Sequence, residues 1–179
     1  MKTVLFIARL ALTLLAITAV VAVALAGVNM ITAPAIAELN AQNTQAAIEA
    51  VLPGGGNELA DFPAVDLVSK VYASDAGYAV QVTPGGFDNT ITMMVGVDKA
   101  GNVLGIDIIS HTETAGLGAV SDADTPAGIA FREQFIGAAG SVSVKKDGGQ
   151  MDAITGATIT SRAVCAGVNA ALECVAQMG

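Results

Sequence analysis

The sequence predicts an α+β protein, in which one N-terminal membrane-spanning helix precedes a domain built on an antiparallel β-sheet with flanking helices. Two observations support this prediction. Residues 10–37 contain no charged side chain, whereas several stretches between residues 78 and 108 alternate apolar with polar or small residues. That alternation is the period of a half-buried strand. With 179 residues, the chain has room for one globular domain and one small additional segment.

The charges are unevenly distributed along the chain. All 16 acidic residues lie at or beyond Glu38, where there are only 6 basic residues, so this part has a net charge of −10. An acidic surface without a run of basic side chains repels a phosphate backbone. Nucleic-acid binding is therefore excluded.

The first predicted element is the apolar stretch of 22 residues at 10–31. It is long enough to cross a hydrocarbon core of about 30 Å as a helix. Lys2 and Arg9 precede it, and the next basic residue is Lys70. Because positive charge accumulates on the cytoplasmic side, we expect a single-pass protein of the cell membrane, with a cytoplasmic N-terminus and the remaining chain on the extracytoplasmic side.

A cleaved signal peptide is the alternative for this segment. Residues 24–26, Ala-Leu-Ala, have the small-x-small form of a cleavage site. However, the apolar run from residue 10 to 26 already exceeds the roughly 7–15 residues usual for a signal, and it continues further. The length favours an uncleaved anchor.

Residues 34–52 predict a second helix, because Ile36, Leu39 and Ile48 fall on one apolar stripe. The helix is expected to end at residues 53–56, Pro-Gly-Gly-Gly, which form a flexible joint. The sequence leaves open whether this helix is a juxtamembrane stalk or docks on the domain. The predicted divisions are the N-terminus and anchor at 1–31, the juxtamembrane helix and linker at 32–56, and the globular domain at 57–179.

The globular domain is predicted to contain an antiparallel sheet with one buried face. The alternating stretches are residues 78–82, 91–97 and 104–108. Residues 98–102 suit the loop of a hairpin, because Gly101 and Asn102 tolerate positive φ. A short helix over residues 126–135 and a short strand over residues 142–144 complete the prediction.

One stretch near the C-terminus is the most informative, since residues 152–161 read Asp-Ala-Ile-Thr-Gly-Ala-Thr-Ile-Thr-Ser. Val164 and Val168 begin a helical pattern after it, and Thr160 or Ser161 is the expected N-cap. Small residues before a helix N-terminus let the backbone approach a phosphate, which the free N–H groups and the helix dipole attract. Taken alone, the stretch is either plain helix capping or a phosphate-accepting turn.

The spacing of this stretch resembles the flavinylation motif Asp-x-x-Ser/Thr-Gly-Ala-Thr, found in proteins that carry FMN esterified through its phosphate to the last Thr. The matching positions are Asp152, Thr155, Gly156, Ala157 and Thr158. The resemblance implies that Thr158 is the covalent attachment residue. It also implies that a separate flavin transferase recognises Asp152, and that the remaining matched residues and Thr160 belong to the same cofactor site.

A second informative stretch, residues 110–118, follows the last predicted strand and contains His111, the only histidine. Taken alone it is a strand-ending loop. It is similar to the His-x-Glu-Thr-Pro-Gly-Leu-Gly loop that contacts the flavin in the same family. The matching positions, which the resemblance assigns to flavin binding, are His111, Glu113, Thr114, Gly116, Leu117 and Gly118. Ala115 replaces the Pro of the pattern, which removes a restraint on φ, so a less rigid loop is expected.

These features occur in one order over essentially the whole chain, and in this the chain resembles the G subunits of Rnf-type electron-transport complexes. The resemblance implies an FMN-binding domain that passes electrons within an ion-translocating ferredoxin:NAD oxidoreductase, without substrate turnover of its own. It also implies partners, namely the other membrane and iron–sulfur subunits of the complex and the flavin transferase.

Three alternatives stay open at this point. The related C subunit of the sodium-translocating NADH:quinone reductase is the nearest. A membrane-tethered FMN domain that senses or regulates is the second, and an assembly module without flavin is the third.

The sequence predicts no catalytic residue and no metal site. Thr158 has no His or Lys nearby in sequence to activate it, so attachment of flavin without a transferase is not expected. Cys165 and Cys174 lie nine residues apart on one predicted helix and therefore face opposite sides. Neither has a metal-ligand partner in the sequence.

Overall fold

The computed structural model describes the backbone of residues 2–178 and the side chains of residues 6–178. The outermost ends of the predicted divisions, residues 1 and 179, lie outside the described residues. The elements in chain order are helix α1 (Lys2–Val51), strands β1 (Asn57–Glu58), β2 (Val68–Ala73), β3 (Gly77–Val82), β4 (Thr92–Asp98) and β5 (Val103–Ser110), and helices α2 (Pro126–Glu133) and α3 (Thr158–Met178). Short 3₁₀ turns cover Gly118–Ser121 and Lys145–Asp147. The chain divides into two compact units, the first ending at Gln42 and the second beginning at Asn43.

Helix α1 runs without a break through both helices that the sequence predicts, with Pro34 inside it. The prediction of two helices was therefore wrong. Pro34 removes one backbone hydrogen bond, but it stands in an alanine-rich segment, and alanine has the highest helix propensity. The apolar part of α1 is long enough to cross a membrane, and the described side chains up to residue 42 are exposed. It fits a single-pass membrane anchor.

The five strands form one antiparallel sheet in the order β1-β2-β3-β4-β5, so each strand pairs with its neighbour in sequence. The hairpin between β4 and β5 is confirmed. Asp98 Oδ1 accepts hydrogen bonds from the backbone N–H groups of Ala100 and Asn102, both at 2.8 Å, and Gly101 has a φ of 83°. Strands β1 and β2 precede the alternating stretches and were not predicted.

Both faces of the sheet centre are buried, so the prediction of a single buried face was wrong. On one face, Val80 and Val95 pack in the main core with Val168 of α3. On the opposite face, Met94 and Ala79 are fully buried against the last turns of α1. The apolar residues that α1 and its end contribute there are Ala47, Ile48, Val51 and Leu52. Each large side chain buried in this way contributes about 1.5–3 kcal/mol.

The segment before α3 differs from its prediction. Helix α2 ends at Glu133, two residues earlier than predicted. Residues 142–144 are not a strand, and Val144 makes only an isolated parallel bridge to Met151. The reason is that Asn169 of α3 binds the backbone of Val142, accepting from its N–H at 2.8 Å and donating to its carbonyl at 2.9 Å. A side chain thus takes the place of a neighbouring strand.

Candidate functional site

Helix α3 begins at Thr158, so neither Thr160 nor Ser161 is its N-cap. Both lie in the first turn and are buried. The Ser161 hydroxyl accepts a hydrogen bond from Ile154 N–H at 3.0 Å and donates one to the Ala157 carbonyl at 2.9 Å. The cap prediction failed because these hydroxyls bond inward, to the turn before the helix and to the loop that packs on it. They fix that turn in place.

A cavity of about 280 Å³ opens at the start of α3, and the half-buried Thr158 lies in its wall. The cavity brings together both stretches that the sequence analysis singled out. The predicted residues that line it with Thr158 are Glu113, Thr114, Leu117, Gly118, Gly156, Ala157 and Thr160. Gly156 has a φ of 78°, in the left-handed region, and a Cβ there would approach Leu117 Cδ2 to 2.9 Å. Glycine thus permits both the turn and the close packing of the loop.

Other predicted residues lie apart from this cavity. Asp152, Thr155 and Gly116 line a second cavity of about 460 Å³, whose wall includes Phe131 and Gln134 from α2 and its end. Gln134 also binds the segment before α3, because its Oε1 accepts from Asp152 N–H at 2.6 Å and its Nε2 donates to the Asp152 carbonyl at 3.1 Å.

His111 lines neither of these cavities. Its Nδ1 accepts a hydrogen bond from Glu113 N–H at 3.1 Å, and its Nε2 lies 3.7 Å from Asp122 Oδ2. His111 therefore contacts Glu113 within the loop and Asp122 just after the 3₁₀ turn that follows it. A direct contact between His111 and a flavin stays a prediction.

Glu113 is buried, and its carboxylate connects three segments of the chain. Its Oε1 accepts from Phe87 N–H at 2.7 Å, and its Oε2 accepts from the Thr160 hydroxyl. A Cβ at Gly118 would collide with the same carboxylate. Glu113 thus fixes the loop of residues 111–118 against α3 and against the loop between β3 and β4.

Lys146 and Phe87 belong to the cavity wall but were missed from the sequence. Lys146 Nζ donates to Thr158 Oγ1 at 3.3 Å, although the two residues are twelve apart in sequence. The visible signal was the charged run Lys-Lys-Asp before two glycines at 145–149. Phe87 is 66% exposed beside the cavity, a property that its place in the sequence does not show.

The arrangement suits a ligand with an anionic end and a flat apolar body. Thr158 offers a hydroxyl and Lys146 an ammonium group, 3.3 Å apart in the cavity wall. Phe87, Leu117 and Ile159 are all more than 40% exposed beside it, so they provide apolar surface for a ring to cover. Among residues 2–178 no group of three or more His, Cys, Asp or Glu side chains is placed to hold a metal ion.

Comparison with known proteins agrees with this geometry. The profile of the FMN-binding domain family matches residues 86–173, a range that contains the whole wall of the cavity. The G subunit of the Na(+)-translocating ferredoxin:NAD(+) oxidoreductase complex of Acetobacterium woodii is 33% identical over 92% of this chain and 89% of its own length. The G subunit of the ion-translocating oxidoreductase complex of Stutzerimonas stutzeri is 34% identical over 91% of this chain and 78% of its own. The corresponding G subunit of Vibrio vulnificus is 40% identical over 52% and 46%.

Proposed function

The chain belongs to the family of G subunits of ion-translocating oxidoreductase complexes, and we propose that it passes electrons through an FMN esterified to Thr158. The complex is, by the same relation, an ion-translocating ferredoxin:NAD oxidoreductase. Its other membrane and iron–sulfur subunits are the partners of this chain. The relatives reported above are all G subunits by name, so the C-subunit alternative is set aside.

The observation that best supports Thr158 as the attachment residue is the orientation of the neighbouring hydroxyls. Thr160 and Ser161 are buried and are already engaged in hydrogen bonds inside the fold. Thr155 lines the other cavity. Thr158 is half-buried in the cavity wall, and its hydroxyl accepts a hydrogen bond from the ammonium group of Lys146. A phosphoester at Thr158 would place its negative charge beside Lys146 and the N-terminus of α3.

The cavity also fits the ring of the cofactor. Leu117 and Ile159 are 43% and 48% exposed at its rim, next to the exposed ring of Phe87. A flat isoalloxazine lying on these side chains would remove their apolar surface from water. The bound flavin supplies the redox chemistry. The protein's part is to orient the ring, exclude water from one of its faces and balance the phosphate charge.

Attachment requires a separate flavin transferase with FAD as donor. The Thr158 oxygen forms a bond to the FMN phosphorus, the pyrophosphate bond of FAD breaks, AMP leaves, and the hydroxyl proton passes to the transferase. Lys146 donates to the hydroxyl, and both oxygens of the Glu113 carboxylate on the same cavity wall already accept from Phe87 N–H and the Thr160 hydroxyl. This supports the need for the transferase.

The proposed location is the cell membrane, with the N-terminus in the cytoplasm and the FMN domain outside. Lys2 and Arg9 precede the apolar helix, and the acidic remainder of the chain follows it. This distribution of basic residues supports the orientation.

The experiment that tests attachment is mass spectrometry of the full chain, produced together with its transferase. We expect the tryptic peptide of residues 147–162 to carry the mass of FMN less one water, located on Thr158. Thr158→Ala should insert into the membrane and give no fluorescent band after denaturing electrophoresis, whereas Thr160→Ala should keep the band. A fluorescent Thr158→Ala protein would assign the flavin to another residue. A colourless wild-type protein would refute the flavoprotein proposal.

A further inference from the structure

The three residues of the 3₁₀ turn at Lys145–Asp147 each bind a different residue of the segment 152–162, called here the attachment segment. Lys145 Nζ lies 2.7 Å from Asp152 Oδ2, and Lys146 Nζ lies 3.3 Å from Thr158 Oγ1. Asp147 accepts two hydrogen bonds from the guanidinium of Arg162, at 2.7 and 2.6 Å. We name residues 145–147 the brace. The brace spans the attachment turn from its start to the first turns of α3.

We propose that Lys146 is the cation that binds the phosphodiester of the attached FMN, and that Lys145 and Asp147 are positioning residues that aim it. The inference rests on the proposed function, since it needs a phosphate on Thr158. It assigns a binding role to a residue outside the flavinylation motif and outside the loop of residues 111–118.

The backbone of the brace is fixed at both ends. Lys145 N–H donates to the Met151 carbonyl at 2.9 Å, and Met151 N–H donates to the Ser143 carbonyl at 3.1 Å. Gly148 ends the 3₁₀ turn with a φ of 86°, and a Cβ at Gly149 would collide with Ser143. These hydrogen bonds close the loop of residues 143–151, which carries the side chains of Lys145, Lys146 and Asp147. Lys146 is therefore held beside Thr158 by a closed turn of backbone.

The charges of the brace single out Lys146 from its neighbours. Lys145 and Arg162 are each paired with a carboxylate, and the pairing with Arg162 holds the pKa of Asp147 below its ordinary value. Among the described residues, Lys146 has no carboxylate within ion-pair distance, and the acceptor it reaches is a neutral hydroxyl. A phosphodiester on that oxygen would give it an anionic partner. Charge-assisted hydrogen bonds of this kind are stronger than neutral ones.

The test follows flavin transfer to the full chain in detergent, with purified transferase and FAD. Lys146→Met should slow labelling of Thr158 by about tenfold, since a hydrogen bond to a charged group is lost, and Lys146→Arg should restore most of the rate. Lys99→Met is the matched control. Lys99 lies in the β4–β5 hairpin loop, also without a carboxylate within ion-pair distance among the described residues, and its loss should leave the rate unchanged.

A second measurement separates phosphate binding from a merely structural role. In fully labelled protein, the ³¹P resonance of the phosphodiester should shift in Lys146→Met and stay in place in Lys99→Met. Equal labelling rates and equal ³¹P shifts for Lys146→Met and wild type would overturn the role of Lys146 while attachment at Thr158 stands. Failure of Lys146→Arg to restore the rate would overturn it too. An unlabelled wild-type protein would overturn both proposals.

Discussion

Glu113 and Thr160, 47 residues apart in sequence, share a hydrogen bond between two buried side chains, in which Thr160 Oγ1 donates to Glu113 Oε2. The other carboxylate oxygen accepts from Phe87 N–H. One side chain thus holds two loops of the sheet and the first turn of α3 together. Three of the four segments that line the cavity are therefore connected through the Glu113 carboxylate, and Lys146 comes from the fourth.

Glu113→Ala should destabilise the protein without removing the flavin. Loss of the carboxylate leaves Phe87 N–H and the Thr160 hydroxyl without their acceptor, which costs about 1–3 kcal/mol in the free energy of unfolding. If the proposed site is right, the flavin should remain on Thr158 but shift in potential or electron-transfer rate, because the loop proposed to position the ring is released. Thermal unfolding, in-gel fluorescence and a redox titration measure the three quantities.

Thr160→Val provides the partner variant for a double-mutant cycle. It removes only the hydroxyl, so the flavin should stay attached and the loss of stability should overlap with that of Glu113→Ala. Strictly additive losses in the double variant would argue against the shared hydrogen bond.

Leu117→Ala should leave attachment unchanged and shift the flavin potential, because it opens one wall of the cavity to water. Ile129→Ala is the matched control, since Ile129 is 41% exposed against 43% for Leu117 but lines neither cavity. Redox titration of both labelled proteins decides the question. Equal potentials would place the ring away from Leu117.

Ser161→Ala should lower stability by about 1–3 kcal/mol, because Ile154 N–H loses its buried acceptor. It should also slow labelling of Thr158, since the turn before α3 is loosened. Ser69→Ala is the control. Its hydroxyl bonds to the Gln81 carbonyl at an exposed site, where substitutions usually change stability by less than about 0.5 kcal/mol. Similar unfolding curves for the two variants would contradict the role of Ser161.

A reporter fused after the C-terminus should be active only outside the cytoplasm, because Lys2 and Arg9 precede the apolar helix. A fusion in which both residues are changed to Glu is the matched comparison, and its orientation should become mixed or inverted. Activity of the original fusion in the cytoplasm would reverse the proposed location of the FMN domain.

Cys165 should resist alkylation in the folded protein. Burial raises the pKa of its thiol from 9.0 to about 11. Between these two pH values the folded protein keeps the thiol proton, whereas the unfolded chain loses it. The resulting stability is complete below pH 9 and is lost as the pH rises toward 11. Unfolding measured from about pH 8 to 11 should show this loss in wild type and less of it in Cys165→Ala. Equal dependence of stability on pH in wild type and Cys165→Ala would show that the Cys165 thiol does not cause the loss.

The patterns that depend on local spacing predicted the structure well, as the hairpin at Asp98 and the start of α2 at Pro126 illustrate. What they could not predict depends on tertiary contacts. Thr160 looks like a cap until the partner of its hydroxyl, Glu113, is known. Lys146 is twelve residues from Thr158, and only the closed loop of residues 144–151 brings the two side chains together.

The same limit explains the error about the sheet. Met94 stands at a position that alternation assigns to solvent, and it is fully buried because the end of α1 covers it. Alternation reports which side chains share a face of a strand. It does not report whether a helix more than forty residues earlier in the chain returns to cover that face.

The packing of the end of α1 on the sheet also decides which protease cut releases an intact domain. Ile48 and Val51 of α1 are 2% exposed and belong to the core of the unit that begins at Asn43. A protease that cut in the glycine-rich joint after Leu52 would separate the end of α1 from the domain. Tyr72, Ala79 and Met94 would then be exposed to water, and the released fragment would be prone to aggregate. A cut before Asn43 would release a domain with its core intact. The last turns of α1, from residue 43 onward, therefore belong to the folded domain and must stay with it.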